Sequence, residues 1–150
     1  MWKWLSLVLF IALTLGGGTL IGASTLPGPW YEALDKPFFN PPNWLFGPAW
    51  TVLYILVGIA GWLVWQRDRG GILMKIWLVQ LIINFLWSPT FFGAQSIGGG
   101  LVIVLAMLVA ILTFIALAWG RERLAAWLFV PYAAWVAFAS LLNATIFAMN

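Results

Sequence analysis

Trp50 and Tyr54 stand four residues apart, so on a helix they share one face. Trp77, Gln80, Asn84 and Trp87 follow at spacings of three, four and three. Tyr132, Trp135, Ala139 and Asn143 repeat a similar spacing. Each set puts large rings and hydrogen-bonding tips on one helical stripe. Such groups stack on flat π-surfaces, donate from indole and amide N–H, and surround the remainder of a ligand with apolar contact. They do not suit acid–base or nucleophilic chemistry. The chain has no His and no Cys, and its four Asp and Glu residues all lie outside the apolar runs. The commonest metal ligands, disulfides and histidine ligation of a haem iron are missing with them. We expect no catalytic residue, no metal site and no required cofactor.

The elements that carry these residues must sit in lipid. Of the 150 residues, 7% are charged and 64% hydrophobic, with a mean hydropathy of +1.01. Soluble domains average about 25% charged residues. The charges fall in clusters: Lys3; Glu32, Asp35 and Lys36; Arg67, Asp68, Arg69 and Lys75; Arg121, Glu122 and Arg123. Between them lie apolar runs at about 5–24, 43–66, 72–92, 98–119 and 124–148. Each is long enough to cross a bilayer as a helix, and lipid leaves helices or closed barrels as the only options. The runs do not alternate, which argues against a barrel. The expected fold is an all-α integral membrane protein: a five-transmembrane-helix bundle, one domain over 1–150, with a long structured loop between helices 1 and 2.

Gly70-Gly71 is expected to separate the second and third spans, and Gly120-Arg121-Glu122-Arg123 the last two. Gly93 with Gly98-Gly99-Gly100 is expected to separate the third and fourth. Residues 27–34 could form a short surface helix with Pro29 in its first turn. Residues 1–24 fit a cleaved leader only loosely, because the apolar run is long; we read them as a retained first span. Trp44-Leu-Phe-Gly-Pro recurs as Trp127-Leu-Phe-Val-Pro, but five spans do not divide into two repeats. Gly18-x-x-x-Gly22 and Ala133-x-x-x-Ala137 could seat helix contacts, either in a homodimer or inside one bundle.

Orientation follows from Lys and Arg. With the N-terminus inside, the inner side holds Lys3, Arg67, Arg69, Lys75, Arg121 and Arg123, and the outer side only Lys36. This expectation suits a bacterial cell membrane and puts the long loop and the C-terminus outside. The pI near 9.7 therefore reflects loop charges and not a nucleic-acid surface.

Among twelve tryptophans, Trp2, Trp4, Trp44, Trp62, Trp65, Trp119 and Trp127 lie near span ends, where indoles favour the headgroup boundary. Trp50 and Trp135 lie deeper. Counted from the outer face, Trp50, Asn84 and Ala139 fall at one level, about 10–14 Å down. Core packing would also bury such rings. Three polar or aromatic faces at one depth beneath a long loop predict a pocket with a lid, and the small Ala139 and Ser140 leave room opposite Trp50. Pro48, Pro89 and Pro131 lie within spans, where each frees a carbonyl and bends its helix.

The chain also resembles a known family. Trp30-Tyr31, Lys36-Pro37-Phe38-Phe39-Asn40-Pro41-Pro42-x-Trp44 and Pro48-Ala49-Trp50-Thr51-x-Leu53-Tyr54 are similar to the TspO/MBR pattern. So are Gln80-Leu81-x-x-Asn84-x-x-Trp87-Ser88-Pro89-x-Phe91-Phe92-Gly93, Phe129-Val130-Pro131-Tyr132-x-x-Trp135 and Leu142-Asn143. The resemblance covers essentially the whole chain. It implies a five-helix bundle, often a homodimer, that binds porphyrins such as protoporphyrin IX beneath the first loop; animal members take cholesterol and benzodiazepine-type drugs. Carried over by position, it implies ligand contacts at Tyr31, Pro41, Trp50, Tyr54, Asn84, Trp87, Trp135 and Ala139. Family localisation extends to outer membranes.

Two positions depart from the family. Phe38-Phe39 stands where a Trp often precedes Asn-Pro-Pro. The C-terminal residues 143–150 lack the Tyr and basic residue of the animal cholesterol motif. Three functions follow as expectations: a tetrapyrrole receptor or sensor, a light-dependent porphyrin-degrading enzyme, and a facilitator of porphyrin or sterol transport. For the first, Asn84, the indole N–H groups and Lys36 at the mouth are the expected donors to the ligand's propionates. No carboxylate lies within a span to couple an ion, which argues against active transport.

Overall fold

The computed structural model describes residues 2–150. Five helices are long and apolar enough to cross a membrane: Trp2–Ser24, Asn43–Arg67, Ile72–Gly93, Ile97–Ala118 and Arg123–Met149, here spans 1 to 5. The protein is a multi-pass membrane protein built as a five-helix bundle. Spans 4 and 5 pack most extensively, span 3 lies on span 4, and span 2 lies between spans 1 and 5. Span 2 starts at Asn43, just after Pro41-Pro42 hold the chain extended (Pro42 φ −62°, ψ 147°). The loop from span 1 to span 2 contains one short helix, Pro29–Glu32, with Pro29 at its first position.

The end carrying Arg67, Arg69, Arg121 and Arg123 is the basic end; the opposite one, under the long loop, is the lid end. Toward the basic end the interior is solid. Val57, Ala60, Ile111, Phe114, Ala118, Ala125, Ala126 and Phe129 are all fully buried, and Phe114 stacks on Phe129 at 4.1 Å. Arg67 and Glu122 form an ion pair between two turns there.

Span 1 is not one uniform helix. Ala12–Gly16 forms a π turn, and the helix resumes at Gly17. Within it Thr14 is fully buried and donates to the Tyr54 carbonyl of span 2 at 2.7 Å. The opposing residue in span 2 is Gly58. A Cβ there would lie 2.8 Å from Thr14 Oγ1 and 3.0 Å from Ile11 Cα. Gly58→Ala is therefore expected to force the two spans apart and cost about 1–3 kcal/mol. Gly16→Ala, where a Cβ meets nothing within 4 Å, should cost nothing. Thermal unfolding in detergent, followed by circular dichroism, compares them; equal midpoints would contradict the close approach.

Two expectations are corrected. The Gly98-Gly99-Gly100 cluster does not break the chain. The break is Ala94–Ser96, with Gln95 at φ 55°, and span 4 starts at Ile97, where Ser96 Oγ accepts from Gly99 N at 3.0 Å. Gly100 instead permits close packing, because a Cβ there would lie 2.8 Å from the Phe91 ring. Trp62 is not an outward-facing indole. It is buried under span 1 and donates to Lys3 O at 3.0 Å and Ser6 Oγ at 3.1 Å. Of the small-residue stripe in span 1, Gly18 lies against the Tyr54 ring within the bundle, while Gly22 faces a cavity and a Cβ there would meet nothing within 4 Å.

Candidate functional site

At the lid end the interior opens into a cavity of about 530 Å³. Its walls come from all five spans and the loop. Trp50 and Tyr54 project from one face of span 2, with ring centres 5.4 Å apart. Trp135 of span 5 stands perpendicular to Trp50 at 6.5 Å, and Phe46 meets Trp135 edge-on at 5.9 Å. On span 3, Trp87 stacks on Phe91 at 5.0 Å. These contacts fix the ring planes, so the slot is shaped before anything fills it.

The floor is a hydrogen-bonded thread across three spans. Tyr54 donates to Asn84 Oδ1 at 2.8 Å, and Asn84 Nδ2 donates to the Tyr132 hydroxyl at 2.6 Å. Tyr132 donates to Gln80 Oε1 at 2.8 Å, and Gln80 Nε2 donates to Trp77 O at 2.8 Å. Helix spacing placed Trp77 on the stripe with Asn84. Trp77 is completely buried below the cavity, with its N–H donated to Val57 O at 2.9 Å. Asn143 holds the wall: its Oδ1 accepts from Trp87 Nε1 at 3.1 Å, and its Nδ2 donates to Ile97 O at 3.0 Å.

One polar atom is left over. The indole N–H of Trp135 is buried and has no hydrogen-bond partner among the described residues. An unpaired buried donor costs about 1–3 kcal/mol.

The lid is the loop. Tyr31 is 5% exposed and meets Phe92 edge-on at 5.3 Å, while Trp30 meets Phe91 at 5.8 Å. Burial pushes the Tyr31 phenol above its usual range, partly offset by its hydrogen bond to Asn40, so it stays a protonated donor. Asn43 Nδ2 donates to Glu32 Oε1 at 3.1 Å. The Asn150 side chain pairs with the Asp35 main chain twice, accepting at 3.1 Å and donating at 2.9 Å.

Of the residues expected to contact ligand, the structure brings Tyr31, Trp50, Tyr54, Asn84, Trp87, Trp135 and Ala139 to this cavity. Pro41 is not among its lining residues. It is half-buried in the extended segment that leads into span 2, where its fixed φ directs the chain. Lys36 does not stand at the mouth. Its ammonium lies 4.8 Å over the Tyr31 ring and donates to Glu32 O and Leu34 O, so it belongs to the lid's own structure. Phe46, Phe91, Phe92 and Met107 also line the cavity and were not foreseen. Phe46 was within reach, being four residues before Trp50 on the same face. Met107 lies in a span whose one polar side chain, Thr113, is exposed and does not mark the inner side.

A second hollow of about 460 Å³ lies at the basic end among Arg67, Asp68, Arg121 and Glu122. It has charged walls and no aromatic ring, unlike the lid-end cavity.

A comparison with known families decides the relationship. The profile described as the TspO/MBR family matches residues 10–149. The chain belongs to the TspO/MBR family. It is 42% identical over 123 residues to the tryptophan-rich protein TspO of Archaeoglobus fulgidus, covering 81% of this chain and 80% of that protein. It is 35% identical over 150 residues to the tryptophan-rich sensory protein of Cereibacter sphaeroides, covering 98% and 92%. It is 35% identical over 142 residues to the human translocator protein, covering 89% and 83%. In this TspO/MBR protein the cavity lined by Trp50 and Trp135 lies within the family-matched residues.

Proposed function

We propose that this TspO/MBR protein is a membrane receptor for tetrapyrroles and related hydrophobic ligands, bound in the lid-end cavity. The observation that carries the reading is the cavity of about 530 Å³ walled by the mutually fixed rings of Trp50, Trp135 and Trp87. A flat macrocycle stacks on such rings. A cavity of about 530 Å³ falls within the usual range for ligand pockets. Tyr31, Trp50, Tyr54, Asn84, Trp87, Trp135 and Ala139 are the proposed contacts. Asn84 serves chiefly by orienting Tyr54, since its amide is engaged on both sides. The Lys and Arg distribution supports a bacterial cell membrane with the basic end inside.

A second reading has its own observation. Trp50 and Trp135, both oxidisable, meet edge-on at 6.5 Å in the wall of the cavity. Photo-excited porphyrin with oxygen would react there without an acid–base residue, giving light-dependent breakdown. The test is a titration of purified protein with protoporphyrin IX in darkness, following tryptophan fluorescence. Saturable quenching with unchanged porphyrin absorbance is expected. Loss of absorbance only under light and oxygen, and faster than for free porphyrin, would favour breakdown. Quenching that never saturates would remove the receptor reading.

A further inference from the structure

The exposed lining of the cavity lies on one side. Its exposed lining residues all belong to segments 19–27 and 43–51, among them Thr19, Ala23, Leu26, Asn43, Gly47 and Thr51; those contributed by spans 3, 4 and 5 are buried or half-buried. Thr51 follows Asn43, the first residue of span 2, by eight residues, which places it about 12 Å below the start of that span. The opening is therefore a vertical seam in the wall of the bundle, at a depth where the surroundings are acyl chains.

The seam has a structural cause. Below it, spans 1 and 2 are locked by the Gly58 approach and by the Thr14 bond to Tyr54 O. The π turn at Ala12–Gly16 sits at that lock. Above it, residues 17–24 lean away onto span 3: Gly17 lies against the Phe85 ring, and the hydroxyls of Thr25 and Ser88 are 2.6 Å apart. Gly22 and Gly47 both line the cavity, and a Cβ at either would meet nothing within 4 Å. The top of the cavity, in contrast, is covered by Tyr31 and tied down through Asn43–Glu32 and Asn150–Asp35.

Building on the receptor reading above, we infer that ligands reach the cavity sideways, from the lid-end leaflet of the bilayer, through the seam between residues 19–27 and 43–51. The molecules admitted are those already dissolved among lipid tails: flat, largely apolar, with a polar edge. The lid keeps water out and does not need to open. The outer part of span 1, jointed at its π turn and held to span 3 by the Thr25–Ser88 contact, forms the movable jamb of this portal.

The probe is protoporphyrin IX supplied in phosphatidylcholine proteoliposomes, with tryptophan quenching followed by stopped flow. Gly22→Leu combined with Gly47→Leu fills the seam from both sides. Association and dissociation should both slow by about tenfold, a barrier effect, with the dissociation constant held within about threefold. Gly47→Leu alone, at an exposed position, serves if the double variant does not fold, and should slow both rates in the same direction. Asn150→Ala frees the lid and should leave both rates unchanged, although hydrogen exchange in residues 29–36 becomes faster. Parent-like rates in the seam variants, or faster exchange of porphyrin in Asn150→Ala, would overturn the portal while leaving the receptor intact. Absence of saturable quenching in the parent protein would remove the receptor reading and the portal with it.

Discussion

Trp50→Ala combined with Trp135→Ala weakens protoporphyrin IX binding by roughly two to three orders of magnitude, the largest effect we expect of any pair of substitutions. If half of each indole meets the ligand, about 100 Å² per ring is lost, or about 2.5 kcal/mol apiece at 25 cal/mol/Å². Neighbouring rings partly close over the gap, since Phe46 already touches Trp135 and Tyr54 lies against Trp50. That leaves about 3–4 kcal/mol. Trp135→Phe keeps a smaller ring at that position and should cost only about threefold. Titration in darkness reads all three proteins. An affinity in the double alanine variant equal to the parent's would place the ligand elsewhere.

Tyr132→Phe should destabilise the bundle far more than deletion of one hydroxyl suggests. That hydroxyl accepts from Asn84 and donates to Gln80, and all three residues are buried. Its removal strands two polar groups at once, for a cost of about 2–4 kcal/mol. A single interhelical hydrogen bond in a membrane protein averages about 0.6 kcal/mol, so the excess measures stranding and not bond strength. Adding Gln80→Leu and Asn84→Leu removes the stranded groups, and part of the loss should return. Unfolding midpoints in detergent test the series. A Tyr132→Phe protein as stable as the parent would mean that the thread is not closed as drawn.

The five crossings and the level of the slot were legible because lipid imposes a simple rule: apolar length gives the spans, and i, i+4 spacing gives the faces. Trp50, Tyr54, Asn84 and Trp135 could be brought together on that basis alone. Facing direction inside a stripe was not legible. Trp77 shares its face with Asn84, yet its N–H is taken by a span 2 carbonyl one turn below the cavity. Trp62 looked like a boundary indole because proximity to a span end does not tell lipid from a neighbouring helix. The glycines at 98–100 looked like punctuation, although they lie inside span 4 and the missing Cβ of Gly100 serves the approach of Phe91. The π turn at 12–16 has no residue signature of its own, and it separates the locked half of span 1 from the leaning half.

The double pairing of Asn150 with Asp35 has a practical side. Whatever is joined to the chain beyond Asn150, such as a purification handle or a fluorescent reporter, lands on the loop that roofs the slot. Tags for biophysical work belong at the opposite terminus, near Trp2, which is 79% exposed and remote from that roof.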